Sequence, residues 1–174
     1  MVRLFLTGVP GVGKTTVVRA IVKRLEGITC AGFYSEEKRR AGQRIGFKIL
    51  TISGHEGTLA SVGIKAPTVG RYSVHVEEFE NLVLPELELE TPPADLYVID
   101  EIGKMELLSR NFRTRITDLL ARPVNLLATI AKKGKGFVEQ IKGRNDIELI
   151  EVTHANRDEL PDLIAEKING ELEN

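Results

Sequence analysis

GVPGVGKT, residues 8–15, decides how this chain is read. The eight residues match G-x-x-x-x-G-K-[ST] throughout, and so does their context. Before them, VRLFLT (2–7) is an apolar run ended by glycine, the mark of a buried strand. After them, Val17, Val18, Ile21, Val22 and Leu25 recur at helical spacing, and Gly27 is expected to close that helix. In such a strand–loop–helix unit, glycines let main-chain N–H groups converge on phosphate oxygens, and the helix points its positive end at the anion. The expected phosphate cradle is Gly8, Val9, Pro10, Gly11, Val12, Gly13, Lys14 and Thr15. Lys14 should reach the β- and γ-phosphates, and the Thr15 hydroxyl should ligate Mg²⁺. Thr16 either approaches the α-phosphate or fills the first helical turn.

Strands and helices alternate outward from this unit. TCAGFYS (29–35) reads as a second strand, and IGFKILTI (45–52) as another. The polar EEKRRAGQR between them suggests a β-hairpin with Gly42 near its turn. TLASVGI and RYSVHV are weaker strands. Val76 to Leu89 has a helical pattern that Pro85 should end or kink. Thr91-Pro92-Pro93 then reads as a stiff connection into ADLYVIDE, the clearest buried strand. Phe112, Ile116, Leu119 and Leu120 mark an amphipathic helix, VNLLATI (124–130) a buried strand, and Val138 to Lys142 a short helix. IELIEVT and a helix through Leu160, Leu163, Ile164 and Ile168 complete the chain. The pattern predicts an α/β P-loop fold with a mostly parallel central sheet, covered on both faces, and an antiparallel hairpin inserted at an edge.

The 174 residues suit one domain, with no repeat or linker to divide them. Lys plus Arg number 24 against 25 Asp plus Glu, a net charge of −1, which argues against broad electrostatic binding of nucleic acid or acidic membranes. Cys30 stands alone, so no internal disulfide forms; its apolar neighbours predict a packed thiol. The apolar run at residues 2–7 is too short for a signal peptide or membrane span, and a cytoplasmic protein is expected.

A second acidic element fits the loop. In LYVIDE (96–101) four strand residues run into Asp100, placed to hold the metal, generally through water. Glu101 follows at the strand end, where it can orient water and accept its proton. Its bland alternative is a solvated charge or a partner for Lys104. A water-activating acid suits hydrolysis rather than transfer to an acceptor hydroxyl. It also resembles the ATPase branch of P-loop proteins, in which an extra strand separates the phosphate-loop strand from the acidic one. VNLLATI is the candidate for that strand. Thr129 near its end either contacts the γ-phosphate or the attacking water, or is a core threonine.

GVPGVGKTT, GFYSEE (32–37), RIGFKI (44–49), IDEIGKMEL (99–107), LLATI (126–130) and NRD (156–158) occur in this order. Together they resemble the THEP-type nucleoside-triphosphatases, also called cancer-related nucleoside-triphosphatases, over roughly residues 2 to 168. The resemblance implies Mg²⁺-dependent hydrolysis of ATP, GTP, CTP and UTP to diphosphates, slow and tolerant of the base. It associates the nucleotide with Gly8 to Thr15 and with Asp100 to Leu107. Ala131 departs from the proline common in relatives, so no contacts are carried onto the KKGKG loop that follows.

Further candidates carry two readings each. Lys104 either leans toward transition-state charge or pairs with Glu101 or Glu106 at the surface. Arg110, Arg113 and Arg115 either supply an arginine finger or form a solvated helix face. Arg157, after the last strand, either stacks on the base or is structural, with Asn156 as a helix cap. Glu36, Glu37, Lys38, Arg39 and Arg40 read mainly as a solvated hairpin face. His55, His75 and His154 lack metal-ligand spacing. Two rival functions remain open: a nucleotide or small-molecule kinase, and a slow switch acting through an unknown protein partner.

Overall fold

A computed structural model describes residues 1–89 and 94–172. The expected Thr91-Pro92-Pro93 connection lies outside the described residues. Nine strands form one mixed sheet: β1 (Arg3–Thr7), β2 (Cys30–Arg40), β3 (Gln43–Thr51), β4 (Glu56–Val62), β5 (Thr68–Val69), β6 (Tyr72–Val74), β7 (Leu96–Ile102), β8 (Leu126–Ile130) and β9 (Glu148–Glu151). Their spatial order is β5-β6-β4-β3-β2-β7-β8-β1-β9. The five strands β2, β7, β8, β1 and β9 pair in parallel. As expected, β8 separates the phosphate-loop strand β1 from the acidic strand β7.

The inserted part is larger than the expected hairpin. β2 runs eleven residues: its first half pairs in parallel with β7, and its second continues as an arm antiparallel to β3. Ala41 and Gly42, both at positive φ, make the two-residue turn. β4, β6 and the two-residue β5 extend this antiparallel half to four strands beyond β2. The charged stretch from Glu36 to Arg40 is therefore strand, because both its flanks pair with a neighbour's main chain. Among the described residues two peptide bonds are cis, Ala66–Pro67 and Asp100–Glu101.

Helices cover both faces. On one, α1 (Lys14–Val22) and α5 (Leu160–Leu172) pack Val17, Val18, Ile21, Ile164 and Ile168 against Leu4, Leu6, Leu96, Val98 and Leu127. On the other, α2 (Val76–Glu86), α3 (Arg110–Ala121) and α4 (Phe137–Lys142) pack Phe79, Val83, Phe112, Ile116 and Val138 against Phe5, Phe33, Tyr97, Ile99 and Ala128. Alternate residues of one strand thus enter different cores, so the central strands are apolar without interruption. Phe33, Phe79 and Phe112 meet edge to face, with ring centroids 5.1 to 5.9 Å apart.

α1 stops at Val22 rather than at Gly27. Arg24 N–H turns back to Ile21 O, which tightens the last turn. Pro85 does fall in the final turn of α2, as expected. α3 is started by Ser109, whose Oγ accepts from Phe112 N–H at 2.8 Å. Among the described residues no helix is long and apolar enough to cross a membrane.

Candidate active site

The phosphate loop joins β1 to α1 at the carboxyl end of the parallel strands, where open α/β sheets bind ligands. Gly13 holds the left-handed conformation, φ 106°, that lets the chain turn directly into the helix. Val12 is buried and anchors the loop, whereas Val9, Pro10 and Gly11 face solvent. The N–H groups of Gly13, Lys14, Thr15 and Thr16 donate to no other group among the described residues. Such a row of free donors at a helix start is what an anion needs. Thr16 itself is exposed.

Lys14 is 8% exposed, and its Nζ lies 3.5 Å from Gly8 O and 3.6 Å from Glu101 Oε2. A buried ammonium ending between a carbonyl and a carboxylate has little hydration to lose when a phosphate arrives.

β7 supplies both acids through a change of register. Against β8, Ile99 lies opposite Ala128 and Ile102 opposite Ile130, so β7 carries one extra residue between them. This bulge re-aims the strand. By simple alternation Ile102 would share a face with Leu96 and Val98; it packs instead into the other core, with Ile99. Within the bulge Asp100 is wholly buried and Glu101 half-exposed.

Asp100 accepts from Thr129 Oγ1 at 2.6 Å, from Ser35 N–H at 3.4 Å and from the Thr15 hydroxyl. Burial pushes its carboxyl up to about 6; the hydroxyls of Thr129 and Thr15 pull it back, and the Glu101 charge pushes the same way as burial. The paired Thr15 hydroxyl and Asp100 carboxylate are hard oxygen donors, which fit Mg²⁺ held by few protein groups plus phosphate oxygens. Among the described residues no cluster of three or more His, Cys, Asp or Glu could hold a metal.

Other candidates fall elsewhere. Thr129 is wholly buried and its hydroxyl is committed to Asp100, so it reaches the site through that carboxylate. Lys104 is exposed, and the expected surface pairs with Glu101 and Glu106 do not form: Glu101 pairs with Lys14, and Glu106 is buried. Arg113 and Arg115 donate to Leu107 O and Leu84 O, tying α3 to its neighbours, while Arg110 is exposed. Arg157 Nη1 donates to Val12 O at 3.2 Å, which lays its guanidinium along the phosphate loop. Asn156 is not the cap of α5; its Oδ1 accepts from Thr153 N–H in a turn that precedes the helix.

The hairpin charges pair with one another and with α1: Glu36 with Arg19 and Lys48, Glu37 with Arg39 and Arg44. His55 and His75 bond to Ser53 and Ser61, and His154 is exposed. Burial, with Asp95 second, raises the Cys30 thiol to about 11, as suits a packed and unreactive cysteine.

Ser35 escaped the sequence reading of the site, and Glu106 was read only as a surface partner for Lys104. Ser35 contributes through its main chain, which carries no residue signature. Glu106 lies in a 3₁₀ turn (Glu106–Leu108), only 5% exposed, its carboxyl raised to about 8 by burial and then by the charges of Glu101 and Asp100. Its signal was an acid inside the apolar run Met105-Glu106-Leu107-Leu108.

A family model described as NTPase matches residues 3–165. This chain belongs to the NTPase family. As a member it is an enzyme of the hydrolase class. It is 43% identical to the nucleoside-triphosphatase THEP1 of Thermotoga sp. (strain RQ2), over 91% of this chain and 90% of that relative. It is 42% identical to the cancer-related nucleoside-triphosphatase of Homo sapiens, over 92% and 94% respectively. The crystal structure of THEP1 from the hyperthermophile Aquifex aeolicus superposes with a TM-score of 0.84 at 39% identity, covering 98% of this chain and 99% of that one. The family, the α/β P-loop fold and the enzyme class thus agree with the reading of the sequence.

Proposed function

We propose that this protein hydrolyses the terminal phosphoanhydride of nucleoside 5'-triphosphates in a Mg²⁺-dependent reaction that discriminates little among ATP, GTP, CTP and UTP. The observation that carries this reading is the convergence of Lys14, Thr15, Asp100 and Glu101 at the mouth of one phosphate loop. The free N–H groups of residues 13–16 and the Lys14 ammonium bind the β- and γ-phosphates. Thr15 and Asp100 hold Mg²⁺, which when bound neutralises charge on the phosphate oxygens. Glu101, half-exposed beside Lys14, orients a water in line with the γ-phosphorus and takes its proton as the water oxygen bonds to phosphorus. The bond to the β–γ bridging oxygen breaks, and diphosphate leaves. Lys104, exposed and without an ion pair among the described residues, is available to the developing charge from the solvent side.

Low base discrimination follows from what lies beyond the phosphates. Arg157 offers a planar, cationic face that stacks on any base. A kinase is less well supported. A cavity of about 560 Å³, lined among others by Lys65, Ser73, His75 and Glu78, shares no residue with the loop, Asp100 or Glu101, so it sets no acceptor beside the γ-phosphate.

Steady-state phosphate release from ATP, GTP, CTP and UTP, without acceptor and with Mg²⁺ or EDTA, tests the reading. Glu101→Gln should keep nucleotide binding and lower turnover by roughly 10²-fold or more. Undiminished phosphate release from that variant would overturn the role of Glu101.

A further inference from the structure

Glu106 is the buried acid that the hydrolytic scheme leaves unused. The 3₁₀ turn from Glu106 to Leu108 follows directly on β7, between the catalytic strand and α3. Glu106 is 5% exposed. Among the described residues it has no ion pair. The charges that act on it are carboxylates, Glu101 first and then Asp100, both on β7. Two charged groups of the neighbouring helices are engaged elsewhere, and Arg110 of α3 is exposed. Glu80 of α2 accepts from Ser109 and Asn111, and Arg113 of α3 donates to Leu107 O. Burial and the negative charges of Glu101 and Asp100 favour the neutral form of Glu106.

Gly103 shows where that carboxyl lies. A Cβ at residue 103 would stand 2.9 Å from Glu106 Oε2 and 3.1 Å from Glu101 Oε1. The two carboxyl groups therefore converge on the same point, and only a residue without a side chain leaves that space to them. On its other oxygen, Oε2, Glu101 is held by Lys14 at 3.6 Å. That lysine is also the group a triphosphate engages. When phosphate takes the ammonium, Glu101 loses one of its restraints just as its orientation begins to matter.

We propose that Glu106 is a positioning residue: its buried carboxyl, meeting that of Glu101 at the space Gly103 leaves open, holds the Glu101 carboxylate and keeps it aimed when a triphosphate draws Lys14 away. This rests on Glu101 being the group that acts on water.

The test compares Glu106→Gln, Glu106→Ala and Glu101→Gln in the full chain, with circular dichroism to verify folding. The readouts are kcat and KM for ATP with Mg²⁺, the affinity for a non-hydrolysable triphosphate, and kcat from pH 6 to 9.5. Glu106→Gln keeps a neutral donor in the same volume and should hold kcat within about threefold of wild type at pH 7. Glu106→Ala should lower kcat by roughly 10²-fold, the scale of a misaimed catalytic group, with affinity unchanged. Wild-type kcat should fall as pH rises through about 8, where Glu106 ionises and repels Glu101, and Glu106→Gln should lack that fall.

Equal loss in the Gln and Ala variants, or an alkaline fall that persists in Glu106→Gln, would overturn the proposal. So would a folded Glu106→Ala of wild-type kcat. Should the alanine variant not fold, the pH comparison between wild type and Glu106→Gln decides alone. An inactive Glu101→Gln beside a wild-type Glu106→Ala sinks only the role of Glu106. A fully active Glu101→Gln sinks the hydrolytic reading beneath it.

Discussion

Lys14 Nζ stands 3.6 Å from Glu101 Oε2, so the phosphate-binding cation and the acid across from it form an ion pair with each other. Glu101 is about a third exposed, which keeps the pair modest in energy, while Lys14 is nearly buried. In the proposed function a triphosphate competes with Glu101 for the ammonium. Glu101→Gln removes the competitor and one negative charge near the γ-phosphate. A non-hydrolysable triphosphate should bind that variant about two- to fivefold more tightly, the equivalent of under about 1 kcal/mol. Titration calorimetry with Mg²⁺ present measures this. Weaker binding by the variant would mean that Glu101 helps to hold the nucleotide.

Thr129 donates to Asp100 Oδ1 at 2.6 Å inside the fold, where neither side chain meets water. Thr129→Val keeps the shape and removes the donor, leaving a buried carboxylate one bond short. Thermal or denaturant unfolding should register a loss of about 1–3 kcal/mol. Thr129→Ser, which restores the hydroxyl, should recover most of it. If valine is tolerated as well as serine, the bond contributes nothing net and Thr129 is only core.

The parallel half of the fold was legible because its strands are buried on both faces. Runs such as Leu4-Phe5-Leu6 and Leu96-Tyr97-Val98-Ile99 have no solvent side to interrupt them. The antiparallel half was less so. Glu36 to Arg40 read only as a solvated hairpin face because polar residues carry weak strand propensity, yet Arg19, Lys48 and Arg44 neutralise its acids and main-chain pairing makes it strand. β5 contains two residues, too few for any periodicity. At the site, Lys14, Thr15, Asp100 and Glu101 stood out because their spacing from glycines and strand ends carries the chemistry. Glu106 did not: its one signal was an acid within the apolar run from Met105 to Leu108, and it takes the 3₁₀ turn to fold that acid inward beside Gly103.

Arg157 reaches across the loop to Val12 O while about 40% of its side chain remains exposed. A guanidinium so placed is positioned by the loop, and in the proposed function it meets a base by its face rather than its edge. Arg157→Ala should weaken all four nucleoside triphosphates by a similar factor, roughly three- to tenfold, the scale of an exposed to partly buried cation–π contact. Competition binding with ATP, GTP, CTP and UTP reads this out. A loss confined to purines or to one base would show that Arg157 confers selectivity.

Glu106 should also leave a mark on stability against pH. Its folded pKa, about 8, lies above the usual value of 4.5, so the folded chain keeps a proton that the unfolded chain releases. Below about 4.5 both states are protonated and nothing is lost; between 4.5 and 8 the unfolded state gains by ionising, and stability falls. At pH 7 that loss is on the order of 3 kcal/mol. Glu106→Gln cannot ionise and escapes it. The variant should therefore melt at nearly the wild-type temperature at pH 4 and roughly 5–10 °C above it at pH 7. A gap of the opposite sign at pH 7, with wild type the more stable, would mean that Glu106 is folded as an anion and that a cation pairs with it in solution.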